Sequence, residues 1–134
     1  MLLVAVADVP GPPPAPEVYN VLCTSCTVKY QLPSDEGDAP VTGYHVQRRL
    51  VSTGDENCGW ETVNKEPISA LELIVEQLKP LSEYEFRIAA ENKHGVGDFG
   101  AASLSVKCFP DLEAQSNLSA LQRYATIQMF DVHL

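Results

Sequence analysis

The sequence predicts an all-β domain, a seven-stranded antiparallel sandwich of two sheets. Short segments in which apolar and polar residues alternate recur at spacings of roughly ten residues, and clusters of Pro, Gly, Asp and Asn separate them. The connections are too short for the crossovers that parallel strands require, so neighbouring strands are expected to be antiparallel. No helical period interrupts this pattern before residue 108.

The clearest strand lies within residues 78–97. Tyr84, Phe86, Ile88 and Ala90 alternate with a nearly continuous set of charged residues, which predicts one face in a core and one in water. Pro80 precedes this strand, where it ends the preceding one without removing a ladder hydrogen bond. Residues 92–97 supply the Asn and Gly residues of a tight reversal, so the chain turns on both sides of the strand.

Six further strands are predicted at residues 17–22, 24–32, 41–49, 60–63, 71–78 and 98–107. The side chains expected to face the core are Cys26, Val28, Tyr30 and Leu32 in the second strand, Tyr44 and Val46 in the third, and Leu73 and Val75 in the fifth. His45 and Gln47 are expected to face solvent. Trp60, the only tryptophan, is predicted to cover the edge of the core, or to anchor an interface if it is exposed.

Length and charge limit the function classes. The 134 residues suit one domain, and the formal charge of −9 without a basic stripe excludes nucleic-acid binding as the main role. No segment approaches the length that spans a bilayer. Residues 1–7 end in a formal leader-cleavage pattern, but the apolar run is short and no Lys or Arg precedes it, so the end of a preceding module is the favoured interpretation.

The titratable residues predict neither a metal site nor an enzyme. Cys23 and Cys26 have the spacing of a zinc knuckle, but Cys58 and Cys108 are far apart and no His lies at ligand spacing, so we expect four reduced thiols. The three histidines are scattered, and no nucleophile or phosphate-loop motif occurs. The prediction is a non-catalytic protein with no cofactor, no metal and no catalytic residues.

Two segments flank the predicted sandwich. Residues 8–16, the proline-rich segment, hold half of the ten prolines and predict an extended, semi-rigid spacer. A ligand for SH3 or WW domains is the alternative, but no basic residue flanks the prolines, so an interdomain linker is favoured. At the other end, residues 111–129 carry an interrupted apolar stripe, so this tail could form a helix that docks on the sandwich, bind a partner, or be disordered, and the last is favoured.

Several short segments together are typical of one known family. They are Pro10-Gly11-Pro12-Pro13, Thr27-Val28-Lys29-Tyr30, Val41-Thr42-Gly43-Tyr44, Trp60-Glu61-Thr62-Val63-Asn64, Leu78-Lys79-Pro80 and Tyr84-Glu85-Phe86-Arg87. By these segments the chain resembles a fibronectin type III domain of the immunoglobulin-like class over residues 10–108, with residues 1–9 as the end of a preceding module or linker and residues 109–134 as a tail, disordered or a short helix. The sequence of residues 89–97 is most similar to the intracellular modules of titin, myosin-binding protein C and related muscle proteins.

The resemblance assigns structural roles to several residues. It implies that the Tyr84 hydroxyl bonds to backbone near Leu78 and fixes the connection that contains Pro80. Tyr30 stands where the family usually has a buried Trp, so we expect compensating packing or reduced stability. No Arg-Gly-Asp sequence occurs, so integrin binding is not implied. Tyr44 and Trp60 complete the set of expected structural residues.

The function that the resemblance implies is a structural and protein-protein interaction module of a cytoplasmic, sarcomere-associated protein. It would act as a spacer and a docking surface beside immunoglobulin-like domains, with cytoskeletal or sarcomeric partners such as myosin or actin-associated scaffolds. Lys93, His94 and Trp60 are the candidate contact residues. The alternative is a fragment of a secreted or cell-surface adhesion protein or receptor, which requires residues 1–7 to be a leader and Asn117 to be glycosylated.

Overall fold

The computed structural model describes residues 8–51 and 59–111. Within these ranges the chain forms only short strands, with no helix: β1 (Glu17–Tyr19), β2 (Cys26–Lys29), β3 (Gly43–Leu50), β4 (Glu61–Thr62), β5 (Glu72–Val75), β6 (Glu83–Asn92), β7 (Gly95–Val96) and β8 (Val106–Lys107). Residues 1–7, residues 52–58 and residues 112–134 of the tail predicted at 109–134 lie outside the described residues.

The strands form two sheets in which every pair is antiparallel. One sheet has the order β1-β2-β5, and the other has the order β4-β3-β6-β7, with β8 also paired to β6. The longest ladder joins β3 to β6, from Gly43 opposite Glu91 to Leu50 opposite Tyr84. The predicted antiparallel sandwich is therefore confirmed.

The core consists of the inward-facing side chains of both sheets. Val28 from one sheet and Val46, Phe86 and Ile88 from the other have no exposed surface. The alternation along residues 84–90 places Phe86 and Ile88 inward, as the sequence predicts. Each fully buried large apolar side chain stabilises the fold by about 1.5–3 kcal/mol. Tyr30, also buried, completes this layer.

The second predicted strand is shorter than expected. β2 ends at Lys29, and Leu32, predicted to face the core, is 46% exposed. The prediction for Leu32 is wrong because the alternation stops after Tyr30, and Pro33 is the next buried residue. A proline cannot donate to a strand ladder, so the chain leaves the sheet at this point.

The last predicted strand, residues 98–107, is interrupted. Between β7 and β8 the backbone N–H groups of Gly97, Gly100 and Ser103 donate to the carbonyls of Ala90, Ile88 and Phe86. Three residues of this edge therefore span two residues of β6, which is the pattern of repeated bulges rather than of a regular ladder. Only the end of the predicted strand therefore forms a strand, β8, whereas β7 lies within the reversal predicted at residues 92–97.

The proline-rich segment lies on this bulged edge. Pro10, Pro13 and Pro16 are buried at intervals of three, as expected for one face of a polyproline II helix. A Cβ added to Gly97 would lie 1.9 Å from the Pro10 carbonyl oxygen, and one added to Gly100 would lie 1.9 Å from that of Pro13.

Pro16 and Ser103 line one groove farther along, so the two segments run parallel in matched three-residue steps. The interpretation of residues 8–16 as a linker is therefore corrected, because this extended segment packs on the sandwich.

Candidate protein-binding surface

The outer face of the five-stranded sheet carries a cluster of two arginines and two aromatic rings, the Trp60 patch, formed by Arg49, Trp60, Arg87 and Phe99. Arg49 lies on β3 and Arg87 on β6, both at outward positions of the alternation. Trp60 directly precedes β4, and Phe99 lies on the bulged edge beyond β6. All four side chains are half-buried. Four separate segments of the chain therefore meet on one face.

The guanidinium groups stack on the rings. The Arg87 Cζ lies 4.4 Å from the centre of the Trp60 ring and 4.5 Å from that of Phe99, and the Arg49 Cζ lies 4.9 Å from the centre of the Trp60 ring. Contacts of this kind contribute about 0.5–1 kcal/mol each at exposed sites. They also hold the long arginine side chains in fixed positions.

The two arginines differ in their polar partners. Arg49 Nη2 forms an ion pair with Glu85 Oε1 at 2.5 Å, whereas Arg87 Nε donates to the neutral Gln47 Oε1 at 2.8 Å. Within the described residues Arg87 has no carboxylate partner. Partial burial, and then the charge of Arg49, lower the pKa of Arg87. The patch and its ion-pair partner Glu85 therefore contain two guanidinium groups and one carboxylate.

His45 lies on the same face. Its Nε2 lies 2.6 Å from Glu91 Oε1, and its side chain is only 19% exposed. The expectation of a solvated histidine is corrected, because a cross-strand carboxylate occupies its ring nitrogen. Ala89, between the rows of charged residues, has no exposed surface. On this face His45 and Arg49 each have a carboxylate partner, whereas Arg87 has none within the described residues.

The other predicted contact residues lie at the β6–β7 hairpin. Lys93 and His94 form its two-residue tip between the paired Asn92 and Gly95, and both are exposed. Within the described residues neither side chain makes a hydrogen bond or an ion pair. Trp60, the third candidate, belongs instead to the Trp60 patch.

The residues with expected structural roles lie in the core or at the ends of strands. The Tyr84 hydroxyl accepts a hydrogen bond from the Lys79 backbone N–H at 2.9 Å, next to the buried Leu78 and in the turn that contains Pro80. This bond joins the start of β6 to the connection from β5.

The two core tyrosines pack together. The Tyr30 hydroxyl donates to the Ala70 carbonyl at 2.6 Å, and its ring lies 5.0 Å from that of Tyr44. Burial raises the pKa of Tyr30 to about 12. The Tyr44 hydroxyl is buried without a hydrogen-bond partner among the described residues. The expectation of compensating packing or reduced stability at Tyr30 stays a prediction.

Asn92 has a role that the sequence prediction missed. Its side chain is 1% exposed, and Nδ2 lies 3.0 Å from the carbonyl oxygens of Asp8 and Glu36 and 3.3 Å from that of Ala39. Its Oδ1 accepts from the His94 backbone N–H at 2.8 Å. The alternation along β6, continued past Ala90, places this polar residue inward and could have identified it.

Two of the three described cysteines, Cys26 and Cys108, are buried in the core. Cys23, Cys26 and Cys108 are free thiols, and burial raises the pKa of Cys26 to about 12 and also raises that of Cys108. Cys58 lies outside the described residues.

Among residues 8–51 and 59–111 no three His, Cys, Asp or Glu side chains are placed to hold a metal ion. The same ranges contain no helix long and apolar enough to cross a membrane.

Comparison with known proteins places this geometry in a family. Cardiac-type myosin-binding protein C of Gallus gallus is 32% identical over 102 residues, which are 76% of this chain and 8% of that protein. Myomesin-2 of Homo sapiens is 33% identical over 104 residues, 78% of this chain and 7% of that protein. Contactin-5 of Gallus gallus is 33% identical over 102 residues, 73% of this chain and 9% of that protein. The chain therefore spans less than a tenth of the length of each of these relatives.

Solved structures and family models agree with these matches. The crystal structure of domains A168–A170 from titin superimposes with a TM-score of 0.70 at 29% identity, covering 78% of this chain and 34% of that one. The family model for the fibronectin type III domain matches residues 11–106. The expected resemblance to the modules of muscle proteins is confirmed, and the chain belongs to the fibronectin type III family.

Proposed function

We propose that this chain is a non-catalytic structural and protein-protein interaction module of a cytoplasmic, sarcomere-associated protein. The similarity to myosin-binding protein C, myomesin-2 and titin supports the assignment to muscle. The observation that carries the docking role is the Trp60 patch, which presents two aromatic rings and two arginines on one face of the sandwich.

The patch has the composition of a binding hot spot. Trp and Arg are enriched among the residues that contribute most to protein-protein binding energy. Here the arginines are already held by ring contacts, by Glu85 and by Gln47. A partner would therefore meet side chains that lose little conformational entropy on binding.

The spacer role depends on how the chain enters the domain. Asn92 and the buried prolines attach residues 8–16 to the sandwich, so the direction of the chain at Asp8 is set by the domain. We propose that immunoglobulin-like or fibronectin type III modules of a longer parent flank the domain. Lys93 and His94 would then lie at the end of the domain where the chain enters at Asp8. The hydrogen bond from Asn92 to the Asp8 carbonyl supports this placement.

Cosedimentation tests the docking role. The full chain is centrifuged with purified myosin filaments and, separately, with actin filaments, and the fraction in each pellet is measured at increasing filament concentration. Trp60→Ala and Arg87→Gln are expected to reduce the affinity for the bound filament about tenfold or more. Lys29→Gln is the matched control, since it removes one positive charge from the exposed β2 position on the other sheet.

Two outcomes would contradict the proposal. Absence of binding to both filaments at saturating concentration removes the sarcomeric docking role. Binding that Trp60→Ala and Arg87→Gln leave unchanged moves the docking surface away from the patch, and Lys93→Ala with His94→Ala then tests the hairpin tip.

The similarity to contactin-5 favours one alternative, a cell-surface adhesion or receptor module. The two proposals differ in compartment. Imaging of tissue with an antibody against this chain separates them: labelling of the sarcomere supports the muscle proposal, and labelling of the surface of unpermeabilised cells supports the extracellular alternative.

A further inference from the structure

We infer that the Trp60 patch binds a segment of a partner protein that carries one isolated Asp or Glu carboxylate beside an apolar side chain. This inference rests on the proposed docking function and specifies the chemistry of the partner. The carboxylate is placed on the Arg87 guanidinium group, and the apolar side chain is placed on the Trp60 ring.

The unequal pairing of the two arginines supports the position of the carboxylate. Glu85 neutralises Arg49, but Arg87 has only the neutral Gln47 amide on its Nε. The two terminal nitrogens of Arg87 form no hydrogen bond within the described residues, and a planar guanidinium group presents such nitrogens in the geometry that a carboxylate accepts. A second carboxylate, bound to Arg87, would give each of the two arginines one carboxylate partner.

The contacts of Arg87 favour charge pairing over a purely apolar partner. Its guanidinium group lies between the Trp60 and Phe99 rings and near a second guanidinium group, so it is partly shielded from water and repelled by Arg49. An incoming carboxylate offsets this repulsion. Charge-assisted hydrogen bonds of this type are shorter and roughly twice as strong as neutral ones.

The charge of the rest of the chain limits the partner to an isolated carboxylate. The formal charge is −9, and Glu85 and Glu91 lie on the same face as the patch. A run of acidic residues would be repelled by these groups. The fitting segment therefore has one Asp or Glu flanked by apolar or basic residues.

Selection from a random peptide library tests the inference. The full chain is immobilised, peptides are selected in about 0.15 M salt, and the recovered sequences are compared with those recovered on Arg87→Gln, on Trp60→Ala and on the matched control Lys29→Gln. Peptides recovered on the wild type and on the control are expected to share one Asp or Glu next to an apolar residue.

Affinities are then measured for a recovered peptide and for its version with Gln in place of Glu, or Asn in place of Asp. The neutral peptide on the wild type, and the original peptide on Arg87→Gln, are each expected to bind about tenfold more weakly.

The outcomes separate the inference from the proposed function. If peptides require Trp60 but show no acidic enrichment, or if the neutral peptide binds equally well, the carboxylate inference is overturned and the docking surface stands. If no recovered peptide depends on Trp60 or on Arg87, both the inference and the docking role of the patch are overturned.

Discussion

Asn92→Asp tests how the proline-rich segment, which begins at Asp8, is held on the domain. The two side chains are nearly identical in shape, and both can accept the hydrogen bond from the His94 N–H. The substitution replaces only the amide donor, which lies within 3.3 Å of the carbonyl oxygens of Asp8, Glu36 and Ala39. All three carbonyls thereby lose this donor and face a carboxylate oxygen instead, although the Asp8 carbonyl still accepts from the Asp38 N–H.

The expected loss of stability follows from how well water can replace the donor. Asp8 is exposed, so its carbonyl can be hydrated, whereas Glu36 and Ala39 are half-buried. Leaving a buried polar group unsatisfied costs about 1–3 kcal/mol, so two such carbonyls predict a decrease of about 3 kcal/mol in the free energy of unfolding. For a domain of this size that corresponds to a decrease of roughly 10–25 °C in Tm.

The loss is expected to depend on pH. Burial beside three carbonyl oxygens disfavours the charged form, so the pKa of the new carboxyl group rises above its unfolded value of about 3.9. The folded variant then holds its proton more tightly than the unfolded chain, and its stability decreases as the pH rises from about 4 towards the folded pKa. The deficit relative to the wild type should be largest at neutral pH and smallest near pH 4.

Urea denaturation between pH 4 and 8 measures this deficit. Asn20→Asp is the control, since it makes the same charge change at an exposed residue whose φ of 52° an aspartate also tolerates. Hydrogen exchange gives a local measurement: the amides of Gly11 and Asp38, which donate to the Asp35 and Asp8 carbonyls, should lose protection first. A deficit below about 0.5 kcal/mol at pH 7 with no pH dependence would contradict the buried role of the Asn92 amide, because such a value is typical of an exposed site.

Three further substitutions test the edges and the core. Tyr84→Phe keeps the buried ring but leaves the Lys79 N–H without its acceptor, so we expect a loss of about 1–3 kcal/mol in urea denaturation; an unchanged midpoint would show that water replaces the hydroxyl. Gly100→Ala places a methyl group 1.9 Å from a carbonyl oxygen and should cost about 1–3 kcal/mol or more. Gly59→Ala should be close to neutral, because among the described residues no atom beyond the chain neighbours lies within 4 Å of the added methyl group; equal effects would contradict the packing of the proline-rich segment. Tyr30 holds its proton to a pKa of about 12, so wild-type stability should fall as the pH rises from about 10 to 12, and Tyr30→Phe should fall less steeply in the same alkaline titration; identical slopes would refute this assignment.

The sandwich could be predicted because its signals are local. The alternation along residues 84–90 gives the orientation of each side chain in β6, and the prolines and glycines mark where strands stop. The errors lie where the local period changes. Leu32 follows the alternation of β2 but lies beyond its end, and residues 97–103 advance three residues for every two of β6. A strict two-residue period cannot describe either place.

The Trp60 patch could not be predicted because it depends on register. Alternation shows that Arg49 and Arg87 face outward, but only the pairing of Gln47 with Arg87 and of Arg49 with Glu85 places them side by side. Trp60 and Phe99 then approach from outside the β3–β6 ladder. No spacing in the sequence connects these four residues, so Trp60 could be proposed as a contact residue while its arginine partners could not.

The proline-rich segment and the bulged edge share a three-residue repeat. A polyproline helix repeats every three residues, and a regular strand repeats every two, so the two could not stay in contact over several turns. The edge formed by Gly97 and Gly100 advances in threes, and at both positions the absence of a Cβ lets the carbonyls of Pro10 and Pro13 approach. The irregular edge therefore allows the proline-rich segment to pack along it. In the proposed spacer, this packing would set the direction of the chain at Asp8, while the regular β3–β6 ladder on the other side of β6 holds Arg49 and Arg87 side by side.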